Sequence, residues 1–241
     1  MEHSQYLSKD EVCTELWLEY TKTPEYFNGE KKAISELHPL VRNKEEEGLK
    51  KVYNDFVDIL ENDRNAFDVL KNRAIGEWMK EWKMMHKNLF GRILKKCGDF
   101  RKHKVRFGDV LDEDYYKIPD PILITSELAG LVEKLIRPLD KKIIDADLDE
   151  KCLILAKIHY QFIRIHPFAD GNGRIARVLT DQMSICFNLT AAMGGYPRHN
   201  TVERKKYHEA IRACAFDDPE CKKLANWIKG YIEKVNKGII G

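Results

Sequence analysis

No stretch of this 241-residue chain approaches the roughly 20 consecutive apolar residues that a bilayer-spanning helix requires, so nothing in it reads as a membrane segment. No sign of charge prevails either. The 41 basic and 39 acidic residues leave a net charge of +2, too balanced to predict strong attraction to nucleic acid or to a membrane surface. Six cysteines (Cys13, Cys97, Cys152, Cys186, Cys214 and Cys221) include no Cys-x-x-Cys pair, and several sit within apolar helical runs. Free thiols in a reducing cytosol are therefore expected, rather than a disulfide framework. Residues 1–20 mix charges with isolated apolar residues and lack the pattern of a signal peptide. The expectation is a cytoplasmic protein, with export by a secretion system that reads other signals left open. Repeats and low-complexity runs are absent.

What is there is mostly helical periodicity. Ser8 with Glu11 three residues on forms a capping box for a short helix through Tyr20, which Thr23-Pro24 ends. Residues 31–37 suggest another helix before His38-Pro39. Over 45–60, Leu49, Val52, Tyr53, Phe56, Val57 and Leu60 mark an amphipathic helix. After a break at Asp63-Arg64-Asn65, a helical run is expected over 67–89, with Trp78, Trp82 and Met85 on one face as core. Over 102–122, Val105 and Phe107 alternate with polar neighbours before Gly108-Asp109, which reads as a small hairpin or as a surface loop. A helix over 121–135, a charged linker over 140–149 and an apolar helix over 153–165 follow. Beyond residue 177 come a loop containing Gly194-Gly195-Tyr196-Pro197 and helices over 201–215 and 217–237.

The chemistry concentrates in one stretch, His166-Pro167-Phe168-Ala169-Asp170-Gly171-Asn172-Gly173-Arg174-Ile175-Ala176-Arg177. Pro167 pushes His166 out of helical conformation, so the preceding helix should stop near His166. Gly171 and Gly173 permit backbone conformations closed to other residues. A helix resumes from Arg174, with Asp170 as its cap. The glycines thus open a helix N-terminus, whose unpaired amides and dipole favour an anion. Arg174 and Arg177, three apart, project from one face. Two arginines oppose the dipole there, and no structural need explains them beside two glycines. The pattern suits a polyphosphate with its metal: Asp170 on magnesium, His166 available for a proton.

The stretch resembles the signature of the Fic family, His-x-Phe-x-Asp/Glu-Gly-Asn-Gly-Arg-x-x-Arg, without a substitution. The resemblance implies an all-α, Fic-type helical domain with a short β-hairpin flap, residues 66–241 forming the core behind an N-terminal helical extension over 1–65. It implies transfer of AMP from ATP to a Ser, Thr or Tyr hydroxyl of a target protein, with release of pyrophosphate. His166 would deprotonate the hydroxyl, and Asp170 would hold Mg2+. Gly171, Asn172 and Gly173 would form the anion-binding turn, Arg174 and Arg177 would bind the leaving phosphates, and Phe168 would anchor the loop in the core. Tyr207 matches a position that can lie against adenine, or is an ordinary core tyrosine. The flap, near 103–118, would align the protein substrate by strand addition. Residues 89–101 resemble the family helix ending in Gly-x-x-Arg, with Arg101 structural. A lysine at Gly173 would point to kinase-like chemistry and an alanine at Gly171 to phosphocholine transfer; both positions are glycine.

One family element is unmatched. The inhibitory Ser/Thr-x-x-x-Glu-Gly/Asn helix, whose glutamate pairs with the second motif arginine, fails at Thr21/Glu25, where Pro24 and Tyr26 intervene. At Asn43/Glu47-Gly48 asparagine replaces the hydroxyl residue, and at Glu233 lysine follows. Arg177 then meets a glutamate from a separate antitoxin-like subunit or from a divergent helix, or the enzyme is not regulated this way. Competing functions are transfer of another nucleotide or of phosphate by the same site, a non-catalytic nucleotide-binding module, and a metal hydrolase using His166 and Asp170. The helix break at Pro167 disfavours the hydrolase.

Overall fold

The computed structural model describes residues 39–91, 97–102, 118–169, 171–196 and 201–239. Among the described residues every regular element is helical. The chain parts into two compact units: residues 1–56 with 79–99, and residues 57–78 with 100–241. No helix among the described residues is long and apolar enough to cross a membrane. The helices expected over residues 8–20 and 31–37 lie outside the described residues, as does the hairpin flap of 103–118 except for Ile118.

In the first unit, α1 (Pro39–Phe56) packs on the later part of a helix that runs Ile75–Phe90. Their backbones meet at Gly48. A Cβ there would stand 2.6 Å from the Leu89 carbonyl oxygen and 2.8 Å from that of Asn88, so only glycine allows the approach. The Asn88 carboxamide donates to Asp55 Oδ2 at 3.1 Å across the same seam. Gly48, which in the sequence completed a near-match to an inhibitory motif, thus has a packing role of its own.

The second unit holds α2 (Asp58–Glu61), α3 (Ala66–Asn72) and the start of α4, the Ile75–Phe90 helix. The uninterrupted run expected over 67–89 is corrected here: Arg73 turns to ψ 134°, and the helix restarts after Ala74. Ala74 has no capping side chain. Its N–H is met instead by the Glu77 carboxylate reaching back at 3.0 Å, the return half of a capping box. The Arg73 guanidinium lies 4.7 Å from the Trp78 ring centroid.

The helix expected over 121–135 is in fact composite: a 3-10 turn at Pro121–Leu123, α5 (Ile124–Leu131) and a π-helical continuation at Val132–Ile136. The charged linker contains a further 3-10 turn at Lys141–Ile144. Next, α6 (Leu148–Ile165) begins where Asp147 accepts the Glu150 N–H at 2.8 Å, a start five residues earlier than its apolar run suggested. It packs against α7 (Asn172–Cys186), α9 (Lys222–Asn236) and α5, while α8 (Thr201–Phe216) leans on α9. Leu155, Ile158 and Phe162 on α6 and Val178 and Leu179 on α7 are fully buried, each stabilising by roughly 1.5–3 kcal/mol. Two neighbouring core helices, α6 and α7, are therefore held rigidly on both sides of the turn that joins them.

Candidate active site

That turn begins with a backbone constraint. Pro167 has no N–H to extend α6, and His166 closes the helix in the left-handed region at φ 50°, ψ 58°, its N–H still bonded to the Phe162 carbonyl at 3.2 Å. A β-carbon residue held there stores strain that the surroundings must hold in place. Arg101 does so. Its Nε donates to the His166 carbonyl at 2.7 Å, and one Nη donates to the Pro119 carbonyl at 2.7 Å and to the Ile165 carbonyl at 3.4 Å; its own backbone N–H donates to Pro167 at 2.8 Å. A cation on the orphan carbonyls at a helix C-terminus is favoured by geometry and dipole together. Burial pulls the Arg101 pKa down, and the Asp120 carboxylate works against that shift. The structural part expected of Arg101 is what the contacts describe.

The loop is tied from within as well. Asn172, 2% exposed, takes the Phe168 N–H on Oδ1 and gives its Nδ2–H to the Phe168 carbonyl, both at 2.9 Å. Phe168 is fully buried with its ring 5.4 Å from that of Phe100. Gly171, not Asp170, is the N-cap of α7, with φ 78°; glycine adopts that conformation without penalty. The Gly171 carbonyl accepts from the N–H groups of Arg174 and Ile175 at 3.0 and 3.1 Å, and helix geometry leaves the Asn172 and Gly173 amides at the open end. Asp170, the expected magnesium ligand, lies outside the described residues. His166 Nδ1 stands 3.3 Å from the Ile163 carbonyl oxygen. A carbonyl only accepts, so the ring proton belongs on Nδ1, and Nε2 of the neutral imidazole is the basic nitrogen.

Arg174 is half-buried in the first turn of α7, and Arg177 is 9% exposed one turn further on. The Arg177 guanidinium lies 4.5 Å from the Tyr196 ring centroid and 5.6 Å from that of Tyr207, a cation beside two aromatic rings that touch each other. Gly173 is beside it: a Cβ at Gly173 would be 3.5 Å from Arg177 Nη1 and 3.8 Å from the Tyr207 hydroxyl. Tyr207 itself is 4% exposed and packed against Trp227, Tyr196 and His159. Gly173, Arg177 and Tyr207 are thus brought together, while His166, Gly171 and Asn172 share the preceding turn.

Two contributors, His159 and Asp181, were missed by sequence reasoning. His159, two helical turns before His166, is fully buried, with Nδ1 2.8 Å from Thr180 Oγ1 and Nε2 2.7 Å from the Tyr207 hydroxyl. Burial first, then the Arg177 charge, lower its pKa to about 3, and burial raises that of Tyr207 to about 12. Asp181 accepts three backbone N–H groups: Ala192 and Met193 on Oδ1 at 2.8 and 2.9 Å, and Gly194 on Oδ2 at 3.0 Å. It thereby fixes the loop that carries Tyr196 over Arg177. The available signal was a polar residue inside an apolar helical run.

The family model described as Fic/DOC family matches residues 79–184. A relative from Drosophila erecta, named protein adenylyltransferase Fic, is 28% identical over 131 residues, 53% of this chain; the chain spans only 23% of that relative's length. Among solved structures, a Fic-1 protein from C. elegans superposes with a TM-score of 0.55 at 18% identity, covering 91% of this chain and 57% of that one. A Fic domain-containing signaling protein from Bacteroides thetaiotaomicron gives 0.52 at 19% identity, covering 79% and 72%. These superpositions establish likeness of fold alone. Over residues 79–184, this chain carries a domain of the Fic/DOC family.

Proposed function

We propose that the protein is an adenylyltransferase that moves AMP from ATP to a Ser, Thr or Tyr hydroxyl of a target protein. The observation that carries this reading is the pairing, within one tied loop, of a histidine whose Nδ1 is held on a carbonyl with a helix N-terminus bearing Arg174 and Arg177. The target oxygen attacks the α-phosphorus, its proton passes to His166 Nε2, and the bond to the β-phosphate breaks. Pyrophosphate departs against Arg174, Arg177 and the amides of Asn172 and Gly173. Donors fixed before the reaction stabilise the charge that develops on these oxygens. Asp170 would hold Mg2+ through its carboxylate, a hard oxygen donor of the kind that ion prefers, and the ion would neutralise phosphate charge. The protein substrate docks along residues 103–118.

The test is incubation of purified protein with labelled ATP and magnesium, alone and with a lysate. Label appears on the protein itself or on a target, and His166→Ala abolishes it; labelling that survives the change removes His166 from the mechanism. Competition among ATP, GTP, UTP and CDP-choline identifies the donor. ATP binding without transfer under any condition would replace the enzyme by a nucleotide-binding module.

A further inference from the structure

The contacts around Arg177 form a chain whose polarity the donors dictate. The Thr180 hydroxyl donates to the Ala176 carbonyl at 2.8 Å, which uses its only proton. The 2.8 Å contact between Thr180 Oγ1 and His159 Nδ1 therefore needs its hydrogen on Nδ1. A neutral ring then offers a lone pair at Nε2, and the Tyr207 O–H, 2.7 Å away, donates to it. The phenolic oxygen is left with lone pairs only, and the cation beside it is Arg177, whose guanidinium carbon lies 5.6 Å from the Tyr207 ring centroid and which has donors and no acceptor. The opposite polarity fails at both ends: it would set a bare Nδ1 against an oxygen whose proton is spent, and would turn the Tyr207 O–H toward Arg177, which has no acceptor.

Resting on the phosphate-site reading above, we infer that Tyr207, oriented by His159, is a positioning residue that fixes the Arg177 guanidinium for the terminal phosphate of a nucleoside triphosphate. Tyr207 is buried among Tyr196, Trp227 and His159. It acts on the ligand through Arg177, not by stacking on the base. The chain spans α6, α7 and α8, so the arginine is set by core packing and not by its own rotamer preference.

Two measurements test this. In protein labelled with nitrogen-15 at histidine, the His159 ring carries its proton on Nδ1 with a bare Nε2, unchanged between about pH 8 and pH 5; a proton on Nε2, or titration in that window, overturns the chain. Tyr207→Phe keeps the ring and removes the hydroxyl. It weakens ATP binding about tenfold, the loss of the phenolic lone pairs beside a charged group, and leaves AMP binding within about twofold. In an Arg177→Ala background, Tyr207→Phe has no further effect, because the two act as one unit. Equal losses for ATP and AMP, or a second tenfold loss on top of Arg177→Ala, overturn the inference. If the unaltered protein binds ATP no better than AMP, the phosphate-site reading fails instead, and the ring nitrogens of His159 alone decide the chain.

Discussion

The Asn172 carboxamide grips Phe168 from both sides, its oxygen taking the Phe168 N–H and its nitrogen donating to the Phe168 carbonyl, each at 2.9 Å. This ring, four residues long, sets the curvature between the end of α6 and the start of α7. The asparagine of the Gly-Asn-Gly turn thus serves the loop through its side chain and the anion site through its backbone.

Asn172→Asp keeps the size but loses the donor and faces a carboxylate oxygen to a carbonyl. Both groups are buried, so the change should cost about 2–3 kcal/mol, read by chemical denaturation. Nucleotide transfer should fall further than stability alone predicts, because the amides at the helix opening move with the loop. Asn172→Asp with full activity would show that the ring is dispensable.

Arg101→Lys removes the fork while keeping the charge. An ammonium cannot reach the His166 and Pro119 carbonyls together in the way that Nε and Nη do, so at least one buried acceptor is left unmet. A loss of about 2 kcal/mol is expected, with Arg101→Ala at least as severe. Since Arg101 holds the His166 carbonyl, transfer activity should drop in both variants; a Lys variant indistinguishable from the parent in melting and turnover would contradict this.

Asp181→Asn tests the loop over Arg177. The carboxylate spreads three accepted N–H groups over two oxygens; an amide offers one oxygen and turns an NH2 toward a donor. The expected cost is about 2–3 kcal/mol. ATP affinity should fall as well, because Tyr196 leaves the guanidinium. Unchanged affinity would mean that Tyr196 does not hold Arg177.

The site turn was legible because its signals are local. Pro167 stops a helix whatever surrounds it, and Gly171 marks a position needing positive φ. The helix break at Arg73-Ala74 was not legible, because Ala74 carries no capping group and its partner, Glu77, looks like any acidic residue of a first turn. His159 was visible as a polar residue in an apolar helix, and Tyr207 as an aromatic residue in a charged one. Their pairing, across 48 residues, is a product of how α6, α7 and α8 pack, which no spacing rule encodes. Asp170 as the cap of α7 was a reasonable local reading, yet the chain turns one residue later, at Gly171.

Gly48→Ala sets two known effects against each other. Alanine in a helix interior gains about 1 kcal/mol over glycine. Against that, the new Cβ would meet backbone oxygens at 2.6 and 2.8 Å, and main chain cannot rotate away as a side chain can. Overpacking of this kind costs about 1–3 kcal/mol or more. The clash should win, giving a net loss of about 1–2 kcal/mol in the unit that contains α1, measured by hydrogen exchange of α1 amides. A stabilised Gly48→Ala variant would mean that the helices separate at little cost.

His159 gives a pH dependence with a definite sign. Its ordinary pKa of 6.5 is lowered to about 3 in the folded protein, by burial and then by the Arg177 charge. The unfolded chain therefore binds the proton that the folded one refuses. Stability from this group is complete above about pH 6.5 and declines as pH falls toward 3. At pH 5 the unfolded state is favoured by about 1.5 pH units of proton binding, or about 2 kcal/mol. His159→Gln removes the titrating ring, and its amide can still receive the Tyr207 hydroxyl. The variant should start less stable at pH 7.5, yet lose about 2 kcal/mol less than the parent on acidification to pH 5, which urea denaturation at the two pH values resolves. Parallel losses in the two proteins would mean that His159 is not kept neutral by the fold, and that the polarity of the chain to Arg177 is not set as the contacts dictate.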